Sequence, residues 1–142
     1  MLGALNAVSH QVVSVTNSTY ITAQTVCELL RRIAALGLGT PITLVMDNAR
    51  YQRCQLVKDL AGVLKIELLF LPSYSPNLNL IERLWKFVKK AVLSSRHQAS
   101  FAQFQCAIDP CLDLLPTTYR SQIATLMTPA FQTFEDVSLL AA

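Results

Sequence analysis

The chain has 142 residues, enough for one domain with its own core. Hydrophobic residues make up 52% and charged residues 15%, which excludes a disordered acidic or basic tail and suggests an interior-rich fragment or an oligomer. The net charge of +3 is modest, so no single-signed field covers the whole surface.

Two β-rich runs come first, Leu2–Val8 and Gln11–Thr16, with Ser9 and His10 between them as an antiparallel hairpin. Thr22 is placed to cap a helix. After it Val26, Leu29, Leu30, Ile33 and Ala34 recur at helical spacing, and Gly37 and Gly39 end the helix ahead of Pro41. Ile42–Met46 is a continuous apolar run, expected as a buried strand, and it ends on Asp47. A helix is expected over Arg53–Leu64 and a second buried strand over Glu67–Leu71. The loop PSYSPNLN leads into an amphipathic helix over Leu80–Leu93, whose apolar stripe is Ile81, Leu84, Trp85, Val88, Ala91 and Val92. Trp85 lies inside that stripe, as a core residue would. Further helices are expected over 100–113, with Pro110 as a breaker, and over 117–127; the last fifteen residues read as loosely attached. The order describes one α/β domain with a mixed sheet.

No run approaches the roughly 18 apolar residues of a membrane helix. MLGALNAVSH also lacks the features of an export signal, so a cytoplasmic protein with no membrane partner is expected. Cys27, Cys54, Cys106 and Cys111 form no CxxC pair and have no His pair beside them. Buried free thiols are expected rather than zinc or disulfides.

The positive charge is local. Between Glu82 and Arg96 lie Arg83, Lys86, Lys89, Lys90 and Arg96 against the single acid Glu82. Such a patch suits phosphate, and it equally suits a solvated helix face. Asp47 at a strand end and Glu82 at a helix start can approach one rim of the sheet, where open α/β folds gather function. Two carboxylates there suit a hard divalent cation such as Mg²⁺. A plainer reading stays open. Glu82 would be a first-turn acid paired with Lys86, and Asp47 the cap of the next turn.

LVMDNARYQ followed by LLFLPSYSPNLNLIERLWKFVKK resembles the DDE transposases of the mariner superfamily, in its bacterial insertion-sequence branch. Thirty-four residues lie between Asp47 and Glu82, a spacing typical of that group. The resemblance covers residues 2 to 95. It implies a ribonuclease-H-like mixed sheet with flanking helices, and three carboxylates holding Mg²⁺ or Mn²⁺ for hydrolysis and strand transfer on DNA. Asp47 then matches the second acid and Glu82 the third, with Arg83, Lys86, Lys89 and Lys90 along the nucleic-acid backbone. Implied partners are transposon ends and target DNA, which would place the protein at the nucleoid, and a second copy or an upstream-frame product. Residues 1–95 would be a partial catalytic domain and 96–142 its helical extension. The sequence departs from the family pattern at Gln52, where members often carry His, and at Leu80, where they often carry Pro. No Asp or Glu precedes Glu28. The first catalytic Asp and the strand that bears it, which in the family lies between the hairpin and the strand ending at Asp47, are therefore expected to be missing. Either a DNA-binding remnant or a piece completed by another chain would carry such a sequence.

Overall fold

The computed structural model describes residues 1–16, 20–72, 79–95 and 101–127. The loop signature at 73–78, Arg96, His97 and residues 128–142 lie outside the described residues. Within them run β1 (Leu2–Leu5), β2 (Val12–Val15), α1 (Ala23–Ala35), β3 (Ile42–Met46), α2 (Gln55–Val63), β4 (Ile66–Phe70), α3 (Leu80–Ser95), α4 (Phe101–Asp113) and α5 (Arg120–Leu126). No helix among the described residues is long and apolar enough to cross a membrane.

The single mixed sheet expected from the element order is not seen among the described residues, whose strands make two separate two-stranded sheets. β1 and β2 pair antiparallel, with Leu2 opposite Val15. β3 and β4 pair parallel, with Ile42 opposite Ile66 and Met46 opposite Phe70. Each pair closes locally, the first through a turn and the second through the α2 crossover. Among the described residues no strand hydrogen-bonds between the pairs, so their outer edges carry no described partner.

The hairpin strands are shorter than expected because Asn6 starts the turn early. Its side-chain Oδ1 accepts from the Val8 and Ser9 N–H groups at 2.9 and 3.0 Å. Such a local bond competes with the strand ladder. His10 closes the turn at φ 60° and donates its N–H to the Asn6 carbonyl.

α1 begins and ends as its sequence dictates. The Thr22 N–H donates to Thr25 Oγ1 at 3.3 Å, satisfying a backbone donor at the entry to the helix. At the other end Gly37, at φ 57°, donates its N–H to the Ala34 carbonyl. A β-carbon would be strained in that left-handed conformation. Arg32 ties the helix to the hairpin: its Nη1 donates to the Ser14 carbonyl at 2.8 Å, and its Nε pairs with Glu28.

Two apolar clusters form the interior. Val15, Val26, Leu30, Ile33, Met46, Val57 and Ile66 belong to the first, between α1, α2 and the strands. Leu84, Val88, Val92, Ile108, Leu112, Leu115 and Ile123 belong to the second, where α4 and α5 pack on α3. The hairpin serves both. Leu2, Ala4, Val13 and Val15 face the first cluster, while Leu5 and Val12 face the second, as strand alternation requires. Trp85 is partly buried and packs against the second cluster and Gly3: a β-carbon at Gly3 would sit 2.8 Å from Trp85 Cζ2.

Three expectations are corrected. Ile42–Met46 and Ile66–Phe70 are not buried on both faces: Val45 is 44% exposed and Leu69 52% exposed. Helices cover one face of this pair, and on the other Thr43 Oγ1 donates to Glu67 Oε2 at 2.7 Å in the open. Pro110 does not break its helix, because burial of Ile108, Cys111 and Leu112 offsets the roughly 3 kcal/mol a mid-helix proline costs. All four cysteines are free as expected, but Cys106 is exposed and Cys54 half-buried; only Cys27 and Cys111 are buried.

Candidate active site

β3 ends at Met46, and Asp47 is the next residue. Because β4 runs parallel in matched register, both strands finish at one rim. The Leu71 N–H donates to the Met46 carbonyl at 2.8 Å, which carries the ladder one step past the strand end and brings the exit of β4 beside Asp47.

The chain then returns to Asp47 through Asn79, which is buried at 7% exposure. Asn79 Nδ2 donates to Asp47 Oδ1 at 2.7 Å. Asn79 Oδ1 accepts the Ile81 N–H at 3.2 Å, and its carbonyl accepts the Glu82 N–H at 3.2 Å. Asn79 is thus the N-cap of α3 and also the partner of Asp47. Glu82 stands in the first turn of the helix that Asn79 caps. One side chain therefore links the strand that ends in one acid to the helix that starts with the other.

This geometry departs from the plainer reading at Asp47 and in the expected Glu82–Lys86 pair, while Glu82 does stand in the first turn of its helix. Asp47 is bonded to a residue 32 positions away rather than to its own turn. Glu82 is half-buried and forms no ion pair with Lys86; among the described residues the ion pair is Arg32–Glu28.

The side chains named at this rim are two carboxylates and an amide. An all-oxygen donor set fits a hard divalent cation, and Mg²⁺ is commonly held by one or two carboxylates together with substrate phosphate and water. Among the described residues no three His, Cys, Asp or Glu side chains come together as a metal site. Asp47, just past the end of β3, and Glu82, in the first turn of α3, are the two carboxylates that these element ends carry.

Along α3, Lys86, Lys89 and Lys90 are exposed. Arg83 is half-buried, and its Nη1 donates to the Leu126 carbonyl at 3.2 Å. That bond satisfies an end carbonyl of α5. The basic face thus divides into three solvent-facing ammonium groups and one guanidinium engaged by a neighbouring helix.

Two features here were not read as functional from the sequence. One is Asn79, whose place ahead of a helical stripe is a cap signal, but whose bond to Asp47 no pattern announces. The other is Gln52, in the turn after Asp47. It is 7% exposed, its N–H donates to the Ala49 carbonyl, and its Oε1 has no hydrogen-bond partner among the described residues. In the same turn Arg53 Nη1 donates to Asn48 Oδ1 at 3.1 Å, which stiffens the segment that follows Asp47.

Residues 1–105 match the family described as DDE superfamily endonuclease. The chain belongs to that family. No curated protein matches it. The matched span of this DDE superfamily endonuclease contains β1 to β4, α1 to α3 and the whole Asp47–Asn79–Glu82 arrangement, while α5 lies beyond it. Membership implies DNA as the substrate class and a transposase-like nuclease domain; members typically use divalent metal ions.

Proposed function

We propose that this endonuclease domain is the catalytic portion of a DDE transposase of the mariner superfamily, insertion-sequence branch, acting on DNA phosphodiester bonds. One observation carries the reading: the 2.7 Å bond from Asn79 to Asp47, which brings the end of β3 to the start of the helix bearing Glu82. Residues 1–95 form the partial ribonuclease-H-like domain. Residues 96–142 are its helical extension, in keeping with the packing of Ile108, Leu112, Leu115 and Ile123 against α3.

Asp47 and Glu82 would hold Mg²⁺ or Mn²⁺, which supplies an activated water and neutralises charge on the scissile phosphate. The chain's own residues then do the rest. Asp47 and Glu82 offer carboxylate oxygens from two different elements. Lys86 and Lys89 extend from the same helix as Glu82 toward solvent and steer the phosphate backbone to it. The third acid would come from a further strand, paired on an edge that β1–β2 or β3–β4 leaves open among the described residues.

The test is cleavage of end-sequence DNA with Mg²⁺ or Mn²⁺. The chain alone is expected to be nearly inactive. Supplied with the completing strand it is expected to cut, and to lose activity in Asp47→Asn and in Glu82→Gln. Cleavage by the isolated chain that survives both substitutions would refute the assignment. A second reading, a DNA-binding module without catalysis, draws on the exposure of Lys86, Lys89 and Lys90. It predicts salt-sensitive DNA binding that Asp47→Asn leaves intact and that Lys86→Ala and Lys89→Ala weaken.

A further inference from the structure

Asn79 has two separate jobs in the geometry, and they can be pulled apart. Its side-chain oxygen faces α3, accepting the Ile81 N–H. Its side-chain nitrogen faces Asp47, donating to Oδ1 at 2.7 Å. Neither job is interchangeable with the other, because the amide oxygen can only accept and the amide nitrogen can only donate. Asn79 is also buried, so both bonds form away from competing water.

The capping bond alone would be satisfied by Ser, Thr or Asp, all good N-caps. The bond to Asp47 would not. Ser is too short to replace the carboxamide, and Asp would set a carboxylate acceptor against a carboxylate. The demand for an amide therefore comes from Asp47. A carboxylate that accepts a fixed hydrogen bond on one oxygen loses rotational freedom and presents its other oxygen in a defined direction. Among the described residues Asp47 Oδ2 has no donor. Carboxylates that ligate metals are held in this way by neighbours outside the coordination sphere.

We propose that Asn79 is a positioning residue. It holds Asp47 through Oδ1 so that Oδ2 is presented to a divalent cation, and it sets the start of α3 so that Glu82 reaches the same ion. This rests on the assignment of Asp47 and Glu82 as the metal-binding pair. It goes further by giving a specific task to a residue that touches neither the metal nor the DNA.

Two measurements on the full chain test it. The first uses no metal. The side-chain amide protons of Asn79, followed by ¹H–¹⁵N NMR, are expected to move upfield in Asp47→Ala; unchanged resonances overturn the proposal. The second is calorimetric titration with Mn²⁺ alone, on wild type, Asn79→Ser, Asn79→Ala and Asp47→Asn, with the melting temperature of each. Asn79→Ser keeps the cap and is expected to melt close to wild type while binding Mn²⁺ about 10-fold or more weakly. Asn79→Ala is expected to lose both stability and affinity. If Asn79→Ser binds Mn²⁺ as wild type does, while Asp47→Asn loses binding, Asn79 is only a cap: the proposal falls and the metal assignment stands. If wild type fails to bind Mn²⁺, or Asp47→Asn binds it equally well, the metal assignment itself falls and takes the proposal with it.

Discussion

The two strand pairs are built from similar residues and are treated in opposite ways by the fold. β1–β2 lies between helices. Leu2, Ala4, Val13 and Val15 face the cluster that includes α1, and Leu5 and Val12 face the one built on α3. β3–β4 is covered on one face, through Ile42, Leu44, Met46, Ile66, Leu68 and Phe70. Its other face shows Thr43, Val45, Glu67 and Leu69 to solvent. The covered pair has a structural task, and its close approach to Trp85 through Gly3 reflects that. The half-open pair carries Asp47 at its end. On the reading proposed above, a sheet that admits a substrate, a cation and a further strand cannot be sealed on every side, and its open face fits that role.

This contrast can be broken by substitution. The largest effect is expected beneath the hairpin, where Leu84 is fully buried. Leu84→Ala should cost about 2–5 kcal/mol in denaturant unfolding, since it leaves a cavity between α3 and the strands. Gly3→Ala comes next, at about 1–3 kcal/mol, because the added carbon overlaps the indole of Trp85. A neutral Gly3→Ala would mean that the indole moves freely and the hairpin is not clamped. Gln52→Met is expected to act in the other direction. It replaces a buried acceptor lacking a partner among the described residues by an apolar group of similar shape, and should stabilise by about 1 kcal/mol. A loss instead would show that Oε1 finds a donor in the folded protein. On the open face, Val45→Thr and Leu69→Thr should change stability by less than about 0.5 kcal/mol. Costs like that of Leu84→Ala would show that the face is covered when the protein works, and would erase the contrast.

The smallest effect concerns pH. Burial pushes the Cys27 thiol above its ordinary value of 9.0, partly opposed by the charge of Arg31 and reinforced by Cys54. Cys111 is raised by burial as well. Below 9.0 both folded and unfolded chains keep these protons, and the contribution to stability is complete. Above it the unfolded chain releases them first, so stability falls as pH climbs through the raised folded values. Unfolding curves from about pH 8 to about pH 10.5 should show that fall, and Cys27→Ala should flatten it.

Much of this was legible in the sequence, for local reasons. Thr22, Gly37 and the helical stripe behind Val26 fix α1 through contacts that span a few residues. The parallel placement of Asp47 and the start of α3 followed from alternating strands and helices. What the sequence hid depends on partners far along the chain. Arg83 reads as a free cation on a basic face, yet its partner is the Leu126 carbonyl, 43 residues on. ITLVM reads as a strand buried on both sides, because an unbroken apolar run cannot report which of its faces finds a neighbour. Asn6 was legible in principle as a side chain that folds its own turn, but a neighbouring β-rich pattern outweighed it. Asn79 passed in the sequence as part of a loop, since its bond to Asp47 spans 32 residues and no local pattern reports it.

The central claim is that Asp47 and Glu82, from different elements, serve one cation. Paramagnetic broadening by substoichiometric Mn²⁺ in a ¹H–¹⁵N spectrum of the intact chain tests it most directly. The amides of Asp47 and Asn48 should broaden together with those of Ile81 and Glu82, at the lowest Mn²⁺ added, and Asp47→Asn should abolish both effects at once. Broadening of one segment without the other, or broadening around Glu82 that persists in Asp47→Asn, would contradict it.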